Sequence, residues 1–304
     1  MLKYLFFIIV TFINLFAFDA FISSDKLKGL LKNDNIVLLD ISKKSIYNAG
    51  HISGAINVDI SNFISKPINT NPEDAQNKEF KNKIDIVSDF IIEKELRSLG
   101  INNNSKVIIY DHNTDDGLSN SAYMAFILIY SGINDISILD GGYMSWVFQN
   151  QILVSVKSPN VNDGDITIKP NKNLIVDSSY IKTNISDIKL LDARSYQKYF
   201  GISKSKCITK YGHIKKASNS FYKDKFYKDY TLRKQEDLDN IYLNGHNLQK
   251  YKTIVIYADN MIEASIEWYI IYQEMGFKNA KIYKNSLYEW VEKEGYPLKR
   301  FKWE

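Results

Sequence analysis

The chain has 304 residues, 45% of them hydrophobic and 24% charged, with a formal net charge of +4. That is the composition of a folded, soluble protein with room for about two domains and a sizeable core. Lysines and acids alternate without a long run of one sign, which argues against a nucleic-acid-binding protein, and the single cysteine, Cys207, excludes an intramolecular disulfide or a cysteine-rich metal site.

Met1-Leu2-Lys3 is a short positive start, and Tyr4 to Phe18 is an apolar run interrupted only by Thr11 and Asn14. The run is short for a membrane span. Small residues at Ala17 and Ala20 suit a cleaved secretory signal over residues 1–20, with cleavage after Ala17 or after Ala20. The mature protein is then periplasmic or secreted, free of nucleic acid and of the membrane. An uncleaved N-terminal anchor is the alternative.

A first domain is expected over residues 21–150. It contains a strand at Val37 to Asp40, a Gly-His-Ile turn at Gly50 to Ile52 and a polar insertion from Asn69 to Asp85. A buried strand at Val107 to Tyr110, a helix, another strand and Trp146 follow. Residues 151–173, with two prolines and many Asn, Asp and Gly residues, read as a linker. The second domain, residues 174–304, repeats the order: a strand at Lys189 to Asp192, a Gly-His-Ile turn at Gly212 to Ile214, a buried strand at Thr253 to Tyr257, a helix, a strand and Trp290. Phe221 to Asn247 takes the place of the first copy's insertion, and both read as surface segments of helix and loop. Landmarks recurring in one order at a shift of about 150 residues indicate duplication. Short apolar runs alternating with helices predict an α/β fold, each domain a mainly parallel sheet covered by helices.

At Asp40 with Gly50-His51-Ile52-Ser53-Gly54-Ala55, at Asp192-Ala193-Arg194 with Gly212-His213-Ile214, and at Leu139-Asp140-Gly141-Gly142, Trp146, Tyr257 and Trp290, the chain resembles the tandem rhodanese family. These are the two-domain sulfurtransferases related to thiosulfate and mercaptopyruvate sulfurtransferase. The resemblance implies two rhodanese-like domains, with an active loop of Cys plus five residues in the second. Backbone N–H groups of such a loop at a helix N-terminus lower a thiol's pKa, and the thiolate carries sulfane sulfur as a persulfide.

Here the six loop positions are Ala258, Asp259, Asn260, Met261, Ile262 and Glu263. The nucleophile position is a methyl group, the family's curl-permitting glycine is Met261, and two acids face a site that should attract an anion. Arg194 matches the family's substrate-holding arginine; it clamps an oxyanion or pairs with Asp259 or Glu263. Where mercaptopyruvate enzymes carry a further arginine, this chain has Phe200. His51 and His213 match the family's turn-tying histidines. Asp111 occupies the first copy's loop position, and His112 with Asp115 and Asp116 reads as a polar surface loop without convergent metal-ligand spacing.

The expectation is an exported rhodanese-like protein that does not transfer sulfur, needs no cofactor or metal, and binds a small molecule or protein at its interdomain cleft. Arg194 and the loop Ala258 to Glu263 are the binding residues. One alternative is an active sulfurtransferase using Cys207, which lysines 204, 206 and 210 flank. Another is acid–base chemistry by Asp259 and Glu263.

Overall fold

The computed structural model describes residues 19–32, 35–65, 84–150 and 154–304. The signal segment up to residue 18 and most of the Asn69 to Asp85 insertion lie outside them.

The repeat appears as two five-stranded parallel sheets of like topology. In one, Phe21–Ile22, Ile136–Leu139, Lys106–Tyr110, Ile36–Asp40 and Ile56–Asn57 lie side by side in that order. In the other the order is Ile175–Val176, Ala280–Tyr283, Ile254–Tyr257, Lys189–Asp192 and Ala217–Asn219. The central strands are nearly continuous apolar runs, Val107 to Tyr110 and Ile254 to Tyr257, because helices cover both faces, leaving no polar side to alternate toward.

The helices after the central strands join the two halves. Gly117–Tyr130 is buried along almost its whole length, an all-round apolar helix of the kind that lies inside a core. Its partner is the second domain's Met261–Tyr269. Phe126 meets Trp268 edge-on at 5.0 Å, and the Tyr269 hydroxyl lies 2.9 Å from the Ala20 carbonyl and 3.2 Å from that of Ile136. One apolar core therefore runs through both sheets.

Two segments differ from the sequence reading. Residues 164–171 of the linker strap onto the first domain: Arg97 Nε donates to Ile166 O at 2.9 Å, and Asn171 N to Tyr130 O at 2.7 Å. Phe221 to Asn247 is no mere surface segment, since Phe226, Leu238 and Tyr242 are core residues. Its Leu232 N donates to the first domain's Asp140 at 2.7 Å. Sequence polarity hid this because Lys225, buried as well, is paired with Glu267 at 3.5 Å and bonded to Ser220 at 3.0 Å.

Candidate functional site

The loop lies at the carboxyl end of the central strand Ile254–Tyr257, where open α/β sheets place their ligand sites. Only Ala258, Asp259 and Asn260 connect this strand to the helix Met261–Tyr269. Asn260 caps the helix, its side-chain oxygen accepting from Glu263 N at 3.1 Å, so the last three loop positions form the first helical turn. No residue of the loop adopts a positive φ. With Met261 in place of glycine the chain enters the helix directly, and the Met261 side chain is buried beneath it.

Ala258 is 1% exposed. Its carbonyl accepts from Leu287 N at 3.0 Å and its N–H reaches Ser286 Oγ at 3.4 Å, which fastens the loop to the start of helix Ser286–Glu292. Asp259 is equally buried, and its carboxylate accepts from Arg194 Nη1 at 3.3 Å, from Lys198 Nζ at 2.7 Å and from the Ser205 hydroxyl. Arg194 also donates Nε and Nη2 to the two Asp192 oxygens, at 2.9 and 2.6 Å, and Nη2 to Gly212 O at 2.8 Å.

Two carboxylates thus meet two cations with no charge left over. Burial works against ionisation of Asp259, but Arg194 and Lys198 outweigh it and hold the carboxyl below its ordinary range. Asp259 is therefore an engaged structural anion, unsuited to acid–base chemistry near neutrality. Glu263, half-buried at the helix start, is pushed up by burial and then by Asp259.

A rhodanese-like domain model matches residues 23–149 and again residues 177–293. The chain belongs to the rhodanese-like family. It is 24% identical to the sulfur carrier protein TtuD of Thermus thermophilus, covering 92% of this chain and 96% of that protein. It is 25% identical to a putative thiosulfate sulfurtransferase of Mycolicibacterium smegmatis, covering 92% and 97%. Among solved structures, YnjE superposes with a TM-score of 0.78 at 20% identity, covering 93% of this chain and 68% of that one. The anaerobic ergothioneine biosynthesis enzyme of Chlorobium limicola gives 0.76 at 22%, covering 92% and 70%. These structural likenesses show the fold.

The two rhodanese domains repeat one another in hydrogen-bonding detail. His51 stacks on Tyr47 at 3.7 Å, with Nδ1 2.9 Å from Tyr47 O; His213 stacks on Tyr199 at 3.8 Å, with Nδ1 2.9 Å from Tyr199 O. The Tyr110 and Tyr257 hydroxyls each accept from the residue after the histidine, Ile52 N and Ile214 N, at 3.0 Å. Both histidines are buried turn-tying groups. Gly212 is required there, for at φ +107° an added Cβ would lie 2.1 Å from Lys299 O.

His112 corrects the sequence reading. It is no surface residue: its side chain is 8% exposed, Nε2 lies 2.9 Å from Asp40 Oδ2, and the ring stacks on Tyr143 at 4.0 Å. Asp115 and Asp116 are exposed, as expected of a polar loop. Asp111 is buried at the N-terminus of helix Gly117–Tyr130, accepting from Asn113 N at 2.6 Å. A Cβ on Gly117 would lie 2.2 Å from the Asp111 carboxylate, so glycine is what admits it. Each rhodanese domain therefore keeps one of its own carboxylates beside the helix that follows its central strand.

Burial raises the Asp111 pKa from 3.8 to about 6. A carboxyl raised in the folded state favours folding below its unfolded pKa, and that contribution is lost as pH rises through about 6. Asp111→Asn is accordingly expected to be neutral at pH 4 and stabilising by about 2–3 kcal/mol at pH 7, by the usual conversion of a pKa difference. Thermal melts across this range check it, and a pH-independent difference would refute it.

Cys207 is half-buried against the second domain's smaller apolar cluster. Burial, then Asp259, raise its pKa, the reverse of what the flanking lysines suggest. Lys204 is turned away to bond Ile208 O at 2.7 Å. Phe200 packs on Trp303 and Phe301 at 5.2 and 5.9 Å. Of the expected binding residues, Arg194, Ala258, Asp259 and Met261 are buried, while Asn260, Ile262 and Glu263 are partly exposed. Sequence reasoning missed Lys198 and Ser205. Arg194 precedes the helix Tyr196–Phe200 that carries Lys198, so no helical spacing links the two, and nothing in the sequence marks Ser205.

Proposed function

We propose that this is an exported tandem rhodanese-like protein that does not transfer sulfane sulfur at its second loop and instead holds a small molecule or a protein partner at the cleft between its domains. The observation that carries the reading is the pairing of a buried methyl at the thiol position with an Asp259 carboxylate that occupies Arg194 and Lys198. A donor anion brought within 4 Å of Asp259 is opposed by about 1 kcal/mol in water and about 4 kcal/mol at an effective dielectric of 20.

A groove of about 380 Å³ between the domains supports a binding role away from Arg194 and the loop Ala258 to Glu263, none of which lines it; its walls are Asn113, Met144 and Phe148 of the first domain and Lys228, Tyr230 and Thr231 of the second. Tyr230 holds φ at +65° there, a backbone strain of the kind concentrated at ligand sites. Purified protein given thiosulfate and cyanide is expected to form no thiocyanate above background. Thiocyanate formation, or a persulfide mass shift on Cys207 after exposure to a sulfur donor, overturns the reading.

Export rests on the N-terminal apolar run, with cleavage after Ala17. Ala20 O accepts from Ile138 N at 2.8 Å and from the Tyr269 hydroxyl at 2.9 Å. Cleavage after Ala20 would remove that acceptor and its buried methyl. The intact mass of exported protein is expected to correspond to a chain starting at Phe18; a start at Phe21 contradicts it.

A further inference from the structure

Two basic segments of the sequence are brought side by side next to the closed loop. No acidic residue occurs between Tyr196 and Lys216, a stretch that carries Lys204, Lys206, Lys210 and Lys215, and the chain end adds Lys299, Arg300 and Lys302. The fold joins the two segments. His213–Ile214 pairs antiparallel with Leu298–Lys299, Phe301 N donates to Phe200 O at 2.9 Å, and Arg300 Nη2 donates to Gly201 O at 3.1 Å.

Large apolar side chains project from the same face: Tyr196 is 54% exposed, Ile202 61%, Phe301 61% and Trp303 60%. Arg300 lies over the rings of Tyr211 and Phe301 at 5.0 and 4.7 Å. Acids lie beside this surface as well, and the partly exposed Glu263 acts on Cys207 and Lys198 from the loop. Glu292 accepts from Thr209 at 2.9 Å, and Glu304 lies 3.8 Å from Lys302.

We propose, against the expectation of a mature chain free of the membrane, that this face is a peripheral docking surface for an anionic lipid bilayer. Exposed tryptophan, phenylalanine and isoleucine among lysines are the composition of a membrane-interface surface, where rings enter the headgroup layer and ammonium groups stay hydrated beside lipid phosphates. Cores of protein–protein interfaces are depleted in lysine, whose strongly hydrated charge resists burial, so a protein partner suits this face less well. No helix among the described residues is long and apolar enough to cross a membrane, so the contact proposed is peripheral. It stands independently of what the interdomain cleft binds.

The test uses the chain beginning at Phe18, which keeps every described residue, mixed with vesicles of phosphatidylcholine alone or with added phosphatidylglycerol. Partition is expected onto the anionic vesicles only, weakening as salt is raised. The triple variant Lys206→Glu/Lys210→Glu/Lys215→Glu, at exposed positions, is expected to lower partition at least about a hundredfold. Phe301→Ser/Trp303→Ser is expected to lower it about tenfold. The exposed first-domain lysines 28, 32 and 94 provide the control: Lys28→Glu/Lys32→Glu/Lys94→Glu should leave partition within about threefold of the parent. Far-ultraviolet dichroism establishes that each variant is folded. Absence of vesicle binding, equal binding to neutral vesicles, or equal losses in patch and control variants overturns the proposal. Binding to polyglutamate or an oligonucleotide without vesicle partition overturns it in favour of an acidic polymer.

Discussion

Arg194→Met is expected to destabilise the protein by about 3–5 kcal/mol, because it removes the cation that two buried carboxylates share. Asp192 loses both its bonds to the guanidinium, at 2.9 and 2.6 Å, and Asp259 loses its bond at 3.3 Å. Lys198 still reaches Asp259, but nothing else of positive charge bonds Asp192 among the described contacts, where the remaining side-chain partner is the Tyr257 hydroxyl at 2.8 Å. Methionine restores most of the volume, so the loss reports charge more than a cavity. Arg194→Lys keeps the charge but forfeits the two-pronged geometry, and should lie between the parent and the methionine variant. Thermal and denaturant melts measure the series. The methionine deficit should narrow on acidification, as the stranded carboxylates take up protons. A deficit under about 1 kcal/mol, or one that does not change with pH, would show that the pair contributes nothing beyond packing.

Restoring the thiol is the second large test, and the expected result is failure. Ala258→Cys should stay at background in thiocyanate formation, since Asp259 still occupies Arg194 and Lys198 and the position is 1% exposed. Removing the carboxylate charge as well frees Lys198 and the Nη1 of Arg194, whose other nitrogens stay on Asp192 and Gly212, to lower the thiol pKa and to meet an incoming anion. Ala258→Cys/Asp259→Asn should therefore exceed the single variant by at least about tenfold, the equivalent of about 1.4 kcal/mol. Full activity in the single variant would mean that the missing nucleophile alone silenced the site. Inactivity of both would place the block in the backbone, where Met261 leads straight into the helix.

The parts of this protein that recur were legible without coordinates. Apolar runs at Val107 to Tyr110 and Thr253 to Tyr257, the two Gly-His-Ile turns and the closing tryptophans marked a duplicated α/β unit, since strand burial and turn geometry are local demands that each copy meets with the same residue types. The absence of a thiol at Ala258 was equally plain. The fate of the charges was not, because an ion pair depends on which segments meet. Asp259 finds Lys198 and Ser205, 61 and 54 residues earlier in the chain, through folding alone. His112 looked like a surface residue because its partner Asp40 is 72 residues away. Lys225 made a core segment look like surface because its compensating Glu267 belongs to another helix.

By itself the sequence determined that this is a tandem rhodanese-like chain with alanine at the nucleophile position, for identity and order of residues are enough to specify those. Only the tertiary structure decided that Arg194 and Lys198 are already satisfied from within, and that the basic stretch after Tyr196 lies against the basic residues 299–302. Electrostatic energy depends on separation and burial in space, and neither can be read from position along a chain.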